Sequence, residues 1–313
     1  MAEPKIVSLS GFPAAGVEKV RRLAGVLNEL DAEPMLAGRL ALHGGTALNL
    51  FVLNLPRLSV DIDLNYIGAV HREAMLAERP GIEVAVSAIG RGLGYNVGRG
   101  PSSDSGGAFH LQYVGATGPD HVKIDVNYRN RSPLLTPEQT TVRLDDVTAT
   151  FTIESAIEVI AGKLRALVGR VVIRDLFDVY LIAEHFPRLF AGADQTLIRR
   201  IVLYYLATSD PFPRPFEIRH RFAHRSGDIK ADLVPMLASG TAPQLETMID
   251  RVDAFVADLA LPRDEVEAEF LSLAAMADLR PELLFAEFPA TLTAALADPA
   301  GKWKMLNLAK AQR

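Results

Sequence analysis

The sequence predicts an α+β protein in two parts: a domain of mixed strands and helices over residues 1–153, then an all-helical domain over 154–313. Three observations carry this. Residues 59–66, Ser-Val-Asp-Ile-Asp-Leu-Asn-Tyr, alternate polar and apolar with period two, as a half-buried strand does. The stretch 95–154 reads as further strands broken by turn residues. From Glu154 onward the pattern turns helical and stays so, except around Pro211–Pro215.

Taken in order, Val17, Val20, Leu23, Leu27 and Leu30 predict a helix within 15–38. A short apolar run, Leu40–Leu42, ends at His43-Gly44-Gly45. Thr46 is the expected N-cap of a helix over Ala47–Leu53, which Pro56 stops by pushing Leu55 out of the α region. A helix over 70–92 follows the strand at 59–66. Tyr95–Arg99, Ala108–Val114, Val122–Tyr128 and Val147–Ile153 are the remaining strands, with Gly98–Gly107 a flexible loop or wide hairpin.

Composition narrows the function. The chain has 313 residues, is 49% hydrophobic and carries a net charge of −5, which excludes a uniformly basic nucleic-acid coat but not a local basic patch. It has no cysteine, so disulfides, thiolate metal sites and cysteine nucleophiles are out. The N-terminal residues lack a basic start and an apolar core, and the uncharged run Leu40–Pro56 is too short and too rich in breakers to span a bilayer. These features suit a cytoplasmic protein without membrane contact.

Three features suggest chemistry. Gly44-Gly45-Thr46 stands between a strand and a helix, where backbone N–H groups can meet a phosphate, although Gly-Gly turns are common. Asp61 and Asp63 lie two apart on one strand and so share a face. Paired carboxylates want a cation, and magnesium takes such oxygen ligands; the alternative is a solvated edge. Asp125 sits in a second strand among β-branched residues. It either joins Asp61 and Asp63 in a three-carboxylate site or pairs with Lys123 on its own face.

In this order the features resemble a nucleotidyltransferase of the polymerase-β type, which implies a mixed sheet in the N-terminal domain. The stretch 44–64, GGTALNLFVLNLPRLSVDIDL, resembles the AbiEii/MenT family of toxin nucleotidyltransferases from bacterial type IV toxin–antitoxin systems. The family's four motifs are matched by Gly44–Leu48, by Arg57, Ser59, Asp61 and Asp63, by Lys123 and Asp125, and by Lys163 and Leu164 with Arg174, Asp175 and Asp178. The match spans about residues 42–185. It implies a toxin that adds nucleotides from an NTP to the 3′ end of tRNA, blocks translation and is held by a cognate antitoxin. Asp61, Asp63 and Asp125 would hold Mg2+. Gly44, Gly45, Thr46, Arg57, Ser59 and Lys163 would meet the nucleotide, with Asp175 a further catalytic candidate.

The helical motif can be read physically as well. On a helical projection Ala156, Ile157, Ile160, Leu164, Leu167 and Val168 form one apolar arc, Glu154, Glu158 and Arg165 face solvent, and Lys163 and Arg170 fall at the edge. A lysine there snorkels or meets an anion. Residues 172–185 are apolar nearly all round, so Asp175 and Asp178 need partners, and Arg174 at i,i+4 is a candidate for Asp178. Residues 214–230 hold five Lys/Arg against two acids, with Phe216, Phe222, His220 and His224 interleaved. This is either an RNA-gripping segment or a solvated helix face.

Overall fold

A computed structural model describes residues 4–190, 195–209, 216–238, 243–259 and 261–312; the expected break at Pro211–Pro215 lies outside them. The chain divides into two compact units. One takes residues up to 131, 136–155 and a return segment at 236–241; the other takes 132–135, 156–235 and 242–313.

The first unit is built on an eight-stranded mixed sheet of order β1-β7-β8-β2-β3-β6-β5-β4. Its strands are β1 (Lys5–Val7), β2 (Leu40–His43), β3 (Asp61–Tyr66), β4 (Asn96–Ser103), β5 (Gly106–Gly115), β6 (Gly118–Asn127), β7 (Glu138–Leu144) and β8 (Val147–Ile153). β3 runs antiparallel to β2 and parallel to β6. One sheet face carries Ile62, Leu64, Phe109, Leu111, Val122, Ile124 and Val126, all at most 1% exposed. Helices α1 (Ala14–Ala32) and α3 (Arg72–Gly92) cover that face: a Cβ on Gly90 of α3 would strike Leu111 and Val97. Burying each such side chain is worth about 1.5–3 kcal/mol. A one-residue slip of β3 would expose Ile62 and Leu64 and bury Asp61 and Asp63, so the hydrophobic pattern fixes the register that places the acids.

Two strands go beyond the sequence reading. β1 has three residues, and in β7 only Val142 and Leu144 are fully buried, so neither shows a long alternation. Gly98–Gly107 is not an open loop. β4 continues through it to Ser103, with a register shift between Arg99 and Ser102, and turns tightly into β5.

The segment after β2 also differs from expectation. A helical turn, α2, spans Gly44–Thr46, and Ala47–Val52 continues as a π-helix. Thr46 is itself helical (φ −72°, ψ −42°) and its side chain makes no cap bond. Its Oγ1 instead donates to the Asp61 carbonyl at 2.5 Å and lies 3.0 Å from Ser59 Oγ. The helix ends before Pro56 acts: Asn54 and Leu55 take φ of 62° and 56°, and the Leu55 N–H donates back to the Asn49 carbonyl at 2.6 Å.

In the second unit the regular elements described are all helices. It comprises α4 (Ala156–Gly169), α5 (Ile173–His185), α6 (Thr196–Ala207), α7 (Ile218–Phe222), α8 (Ser226–Asp228), α9 (Leu245–Val256), α10 (Glu265–Ala275), α11 (Pro281–Phe285), α12 (Pro289–Ala297) and α13 (Pro299–Ala311), with short π and 3-10 turns between. α4 packs on α5 and α6, and α5 on α9. The buried pair Arg199–Glu267, at 2.8 Å, joins α6 to α10. Glu158, expected on the solvent side of α4, is fully buried: its carboxylate accepts the Leu134 and Leu135 N–H groups (2.7 and 3.0 Å) and the Tyr205 hydroxyl (2.8 Å). Sequence spacing misses it because its partners come from a distant loop and from α6. Among the described residues no helix is long and apolar enough to cross a membrane.

Candidate active site

The parallel ladder between β3 and β6 places Asp61 opposite Lys123 and Asp63 opposite Asp125. Opposed residues share a sheet face and lie about 4.8 Å apart across the strands. Asp61, Asp63, Lys123 and Asp125 therefore form one block on the face away from α1 and α3. His43 of β2 stands opposite Asp63, and Ala108 of β5 opposite Asp125, so one row reads His43, Asp63, Asp125, Ala108. The acids stay partly exposed while Ile62 and Ile124 between them are buried.

Asp125 makes the expected pair with Lys123, whose ammonium donates to its Oδ2 at 2.6 Å, and the register also sets it beside Asp63. Lys123 is held above its ordinary pKa, chiefly by this hydrogen bond; partial burial opposes the shift, and the charges of Asp125, Asp61 and Asp63 add to it. One cation thus feels all three acids.

Gly44 is required twice over. Its φ of 73° is a left-handed conformation, and a Cβ there would come within 2.6 Å of Asp63 Oδ2. The turn is therefore pressed against the acid. Thr46 then ties α2 to the first residue of β3, and Ser59 to the same hydroxyl. Arg57 is 3% exposed, and its guanidinium donates to the Leu58 carbonyl at 2.9 Å.

The remaining predicted residues lie in the helical unit. Lys163 is buried, with its ammonium 2.8 Å from Asp178 and 3.4 Å from Asp175. Arg170 adds a fork to Asp175 at 2.6 and 3.1 Å. Lys163 rather than Arg174 is the partner of Asp178, and both acids have the cations their burial requires. In the basic segment, Arg219 pairs with Glu246 and Asp250, Arg225 meets Asp228 at 3.4 Å, and Arg221 donates to the Leu167 and Arg170 carbonyls at the end of α4. These cations serve the helical unit itself. Arg214 and Pro215 lie outside the described residues.

The sequence reading left out His43, His110 and His121. His110 and His121 share the acids' face: His110 stands opposite Lys123, His121 lies two residues before it, and their rings are 5.0 Å apart. The signal was present, since Ala108, His110 and Gln112 alternate with buried Phe109 and Leu111. Their proximity to the acids needed the pairing register.

Among the described residues no group of three or more His, Asp or Glu side chains stands arranged to hold a metal ion. The donor chemistry nonetheless fits a hard divalent cation. All three donors are carboxylates, and together they already attract a cation, Lys123. Displacement of that ammonium would leave three oxygen-donor groups on one face.

A mixed sheet flanked by helices, with acids on neighbouring parallel strands behind a Gly-Gly turn, defines a nucleotidyltransferase-like protein. Residues 26–270 match the model of the family described as "Nucleotidyl transferase AbiEii toxin, Type IV TA system". The chain belongs to that AbiEii family of toxin nucleotidyltransferases, and so to the toxin side of toxin–antitoxin systems. Among solved structures it is similar to MenT4, a nucleotidyltransferase toxin from Mycobacterium tuberculosis: 19% identity, 91% of this chain and 94% of that chain covered, TM-score 0.57. At that identity the likeness establishes the fold. JHP933 from Helicobacter pylori also matches, at 17% identity over 85% of this chain and 99% of its own, with a TM-score of 0.49 that carries no argument. No curated protein matches the chain.

Proposed function

We propose that this chain is a Mg2+-dependent nucleotidyltransferase that moves a nucleotide from an NTP to the 3′ end of tRNA, and so stops translation until a cognate antitoxin intervenes. The observation that carries the reading is the register of Asp63 against Asp125, with Asp61 on the same face and Gly44 pressed against Asp63. Asp61, Asp63 and Asp125 would hold the metal, which when bound neutralises phosphate charge and aligns the triphosphate. Gly44, Gly45 and Thr46 form the turn beside the same strand end, where a helix start would favour an anion. Asp125, once released by Lys123, would either join the metal ligands or accept the proton of the attacking hydroxyl, and Lys123 would then meet phosphate. In the helical unit Lys163 and Asp175 form part of a buried ion network. Their proposed catalytic role rests on the family motif that both residues match.

The test is incubation of the protein with each labelled NTP and total RNA, with Asp63→Asn as control. Label in tRNA that depends on Mg2+ and on Asp63 supports the proposal. Label in protein instead would move the acceptor to a side-chain hydroxyl, and no label in either would end the enzymatic reading.

A further inference from the structure

The helical unit holds a cavity that nucleotide transfer does not use. Its volume is about 460 Å3, and it lies between the end of α10, the start of α11, and helices α12 and α13. Helix α13 lines it through Lys302, Met305, Leu306 and Ala309, which recur at i, i+3, i+4 and i+7 and so share one arc. The other helices and their connections add Leu279, Pro281, Ala295 and Leu296. The packing of α13 sets the space. At Gly301 the helix comes so near the unit's core that a Cβ would stand 2.8 Å from the Tyr204 hydroxyl and 3.0 Å from Leu279 Cδ2. The cavity side carries short alanines, and its rim carries Leu296 and Leu306, 44% and 64% exposed. Three ionisable side chains line it. Asp278 accepts from Arg280 at 2.7 Å. Asp298 is buried and accepts from the Tyr204 hydroxyl at 3.0 Å and from the Ala300 and Gly301 N–H groups, both at 2.9 Å. Lys302 is exposed and has no ion-pair partner among the described residues.

We infer that this cavity binds a medium-chain fatty carboxylate, with its tail among the aliphatic side chains and its head on Lys302. Cavities of about 300–1,000 Å3 take small-molecule ligands, apolar over most of their surface and fixed by a few polar groups. Here the apolar part is aliphatic, since no aromatic ring is among the described lining residues, and that suits an unbranched chain better than a planar one. Met305 and the two rim leucines can follow such a chain as its length changes. The charge chooses the head. Both acids are already satisfied within the protein, so the unanswered charge at the cavity is the Lys302 ammonium, which attracts an anion and repels a cationic amphiphile. No lining residue belongs to the candidate active site, so this inference stands apart from the nucleotidyltransferase reading.

The test uses a reporter the chain already carries. Trp303 is its only tryptophan, follows Lys302 on α13 and is 46% exposed. The whole chain is titrated with hexanoate, octanoate and decanoate below micelle-forming concentrations, by Trp303 emission and by calorimetry. Binding should saturate, and each added CH2 should tighten Kd about fourfold until the cavity is full. Acetate should leave the emission unchanged. Lys302→Glu, an exposed substitution, should keep the melting temperature and weaken decanoate about tenfold, since it removes an attraction and adds a repulsion. Ala309→Phe should fill the cavity and abolish binding; Lys302→Glu decides the matter if that variant does not fold. Equal affinity for all chain lengths, or no binding by any of them, would overturn the cavity as a tail site. Decylammonium binding more tightly than decanoate, or decanoate indifferent to Lys302→Glu, would overturn the anionic head. Binding of an acidic amphipathic peptide where no carboxylate binds would replace the fatty ligand with a protein partner and so overturn the inference.

Discussion

Replacing Gly44 with alanine tests the link between the glycine turn and the acids. Two costs arise in the structure. Alanine at φ 73° pays the left-handed penalty, roughly 1–2 kcal/mol. Its Cβ would also meet Asp63 Oδ2 at 2.6 Å, whereas ordinary contact begins at 3.4 Å, so the carboxylate must retreat by about 0.8 Å. Misplacement of a reacting group by about 1 Å can cost on the order of 100-fold in rate. Gly38 separates the two effects. It has φ 69° with open space around its absent Cβ, so Gly38→Ala pays the backbone cost and touches no acid. Both variants should lose a few degrees of melting temperature, at about 2–4 °C per kcal/mol. Only Gly44→Ala should lose most of its nucleotide transfer, measured as label incorporated at saturating Mg2+ and NTP. Equal turnover in the two variants would refute the claim that Gly44 sets the position of Asp63.

Other substitutions separate chemistry from scaffold. Asp61→Asn and Asp63→Asn should stay folded by circular dichroism while turnover falls by several orders of magnitude; near-normal turnover of either would remove it from the site. Lys163→Ala should unfold at a clearly lower temperature, because it removes the buried ammonium that Asp175 and Asp178 share, at a cost of about 3–5 kcal/mol; an unchanged melting curve would contradict the buried network. Arg221→Ala should destabilise the protein more than Arg219→Ala, because Arg221 satisfies two carbonyls at the end of α4 whereas the Arg219 pairs lie on the surface. Ser59→Ala should keep transfer near normal, since Thr46 retains the Asp61 carbonyl, and Ser59→Asp should lose it by adding an anion beside the acids; an active Ser59→Asp would show that charge there is tolerated.

What the sequence disclosed follows from the range of each signal. Period-two alternation in 59–66 and 147–153 is local, so β3 and β8 were readable almost to the residue, as was the shared face of Asp61 and Asp63. The helical spacing of Leu23, Leu27 and Leu30 gave α1 for the same reason. The partners were not local. Asp63 meets Asp125 across 62 positions of sequence through a pairing that only the closed sheet specifies. Glu158 looked solvent-facing because its own helix gives no hint of Tyr205 or of the Leu134 and Leu135 N–H groups. Thr46 had the right residue type for a cap, yet Gly44 already adopts the left-handed turn that starts the helix, which frees the threonine hydroxyl for Asp61. The basic run at 214–230 shows the limit of charge counting: Arg219 and Arg221 meet acids and carbonyls that lie elsewhere in the chain, and Arg225 meets Asp228 within the run.

Under the proposed function, the ion pair between Lys123 and Asp125 and the carboxylate site would be two states of one arrangement. Three acids on adjoining strands repel one another, and a sheet that held them without a cation would pay for that at every moment it lacked metal. Lys123 relieves the repulsion from inside the same strand, two residues from Asp125 and opposite Asp61. A lysine suits this task better than an arginine. Its charge is compact, it sits on a flexible stem, and it can leave without breaking a planar two-bond fork. With both groups more than a third exposed, the pair is worth little in stability, so a divalent ion bound there would displace it at small cost. The released ammonium remains tethered beside the acids, where the triphosphate would lie. Under the proposed function the strand would carry its own counter-ion for the resting protein and a phosphate contact for the working one, which would account for Lys and Asp two apart on β6.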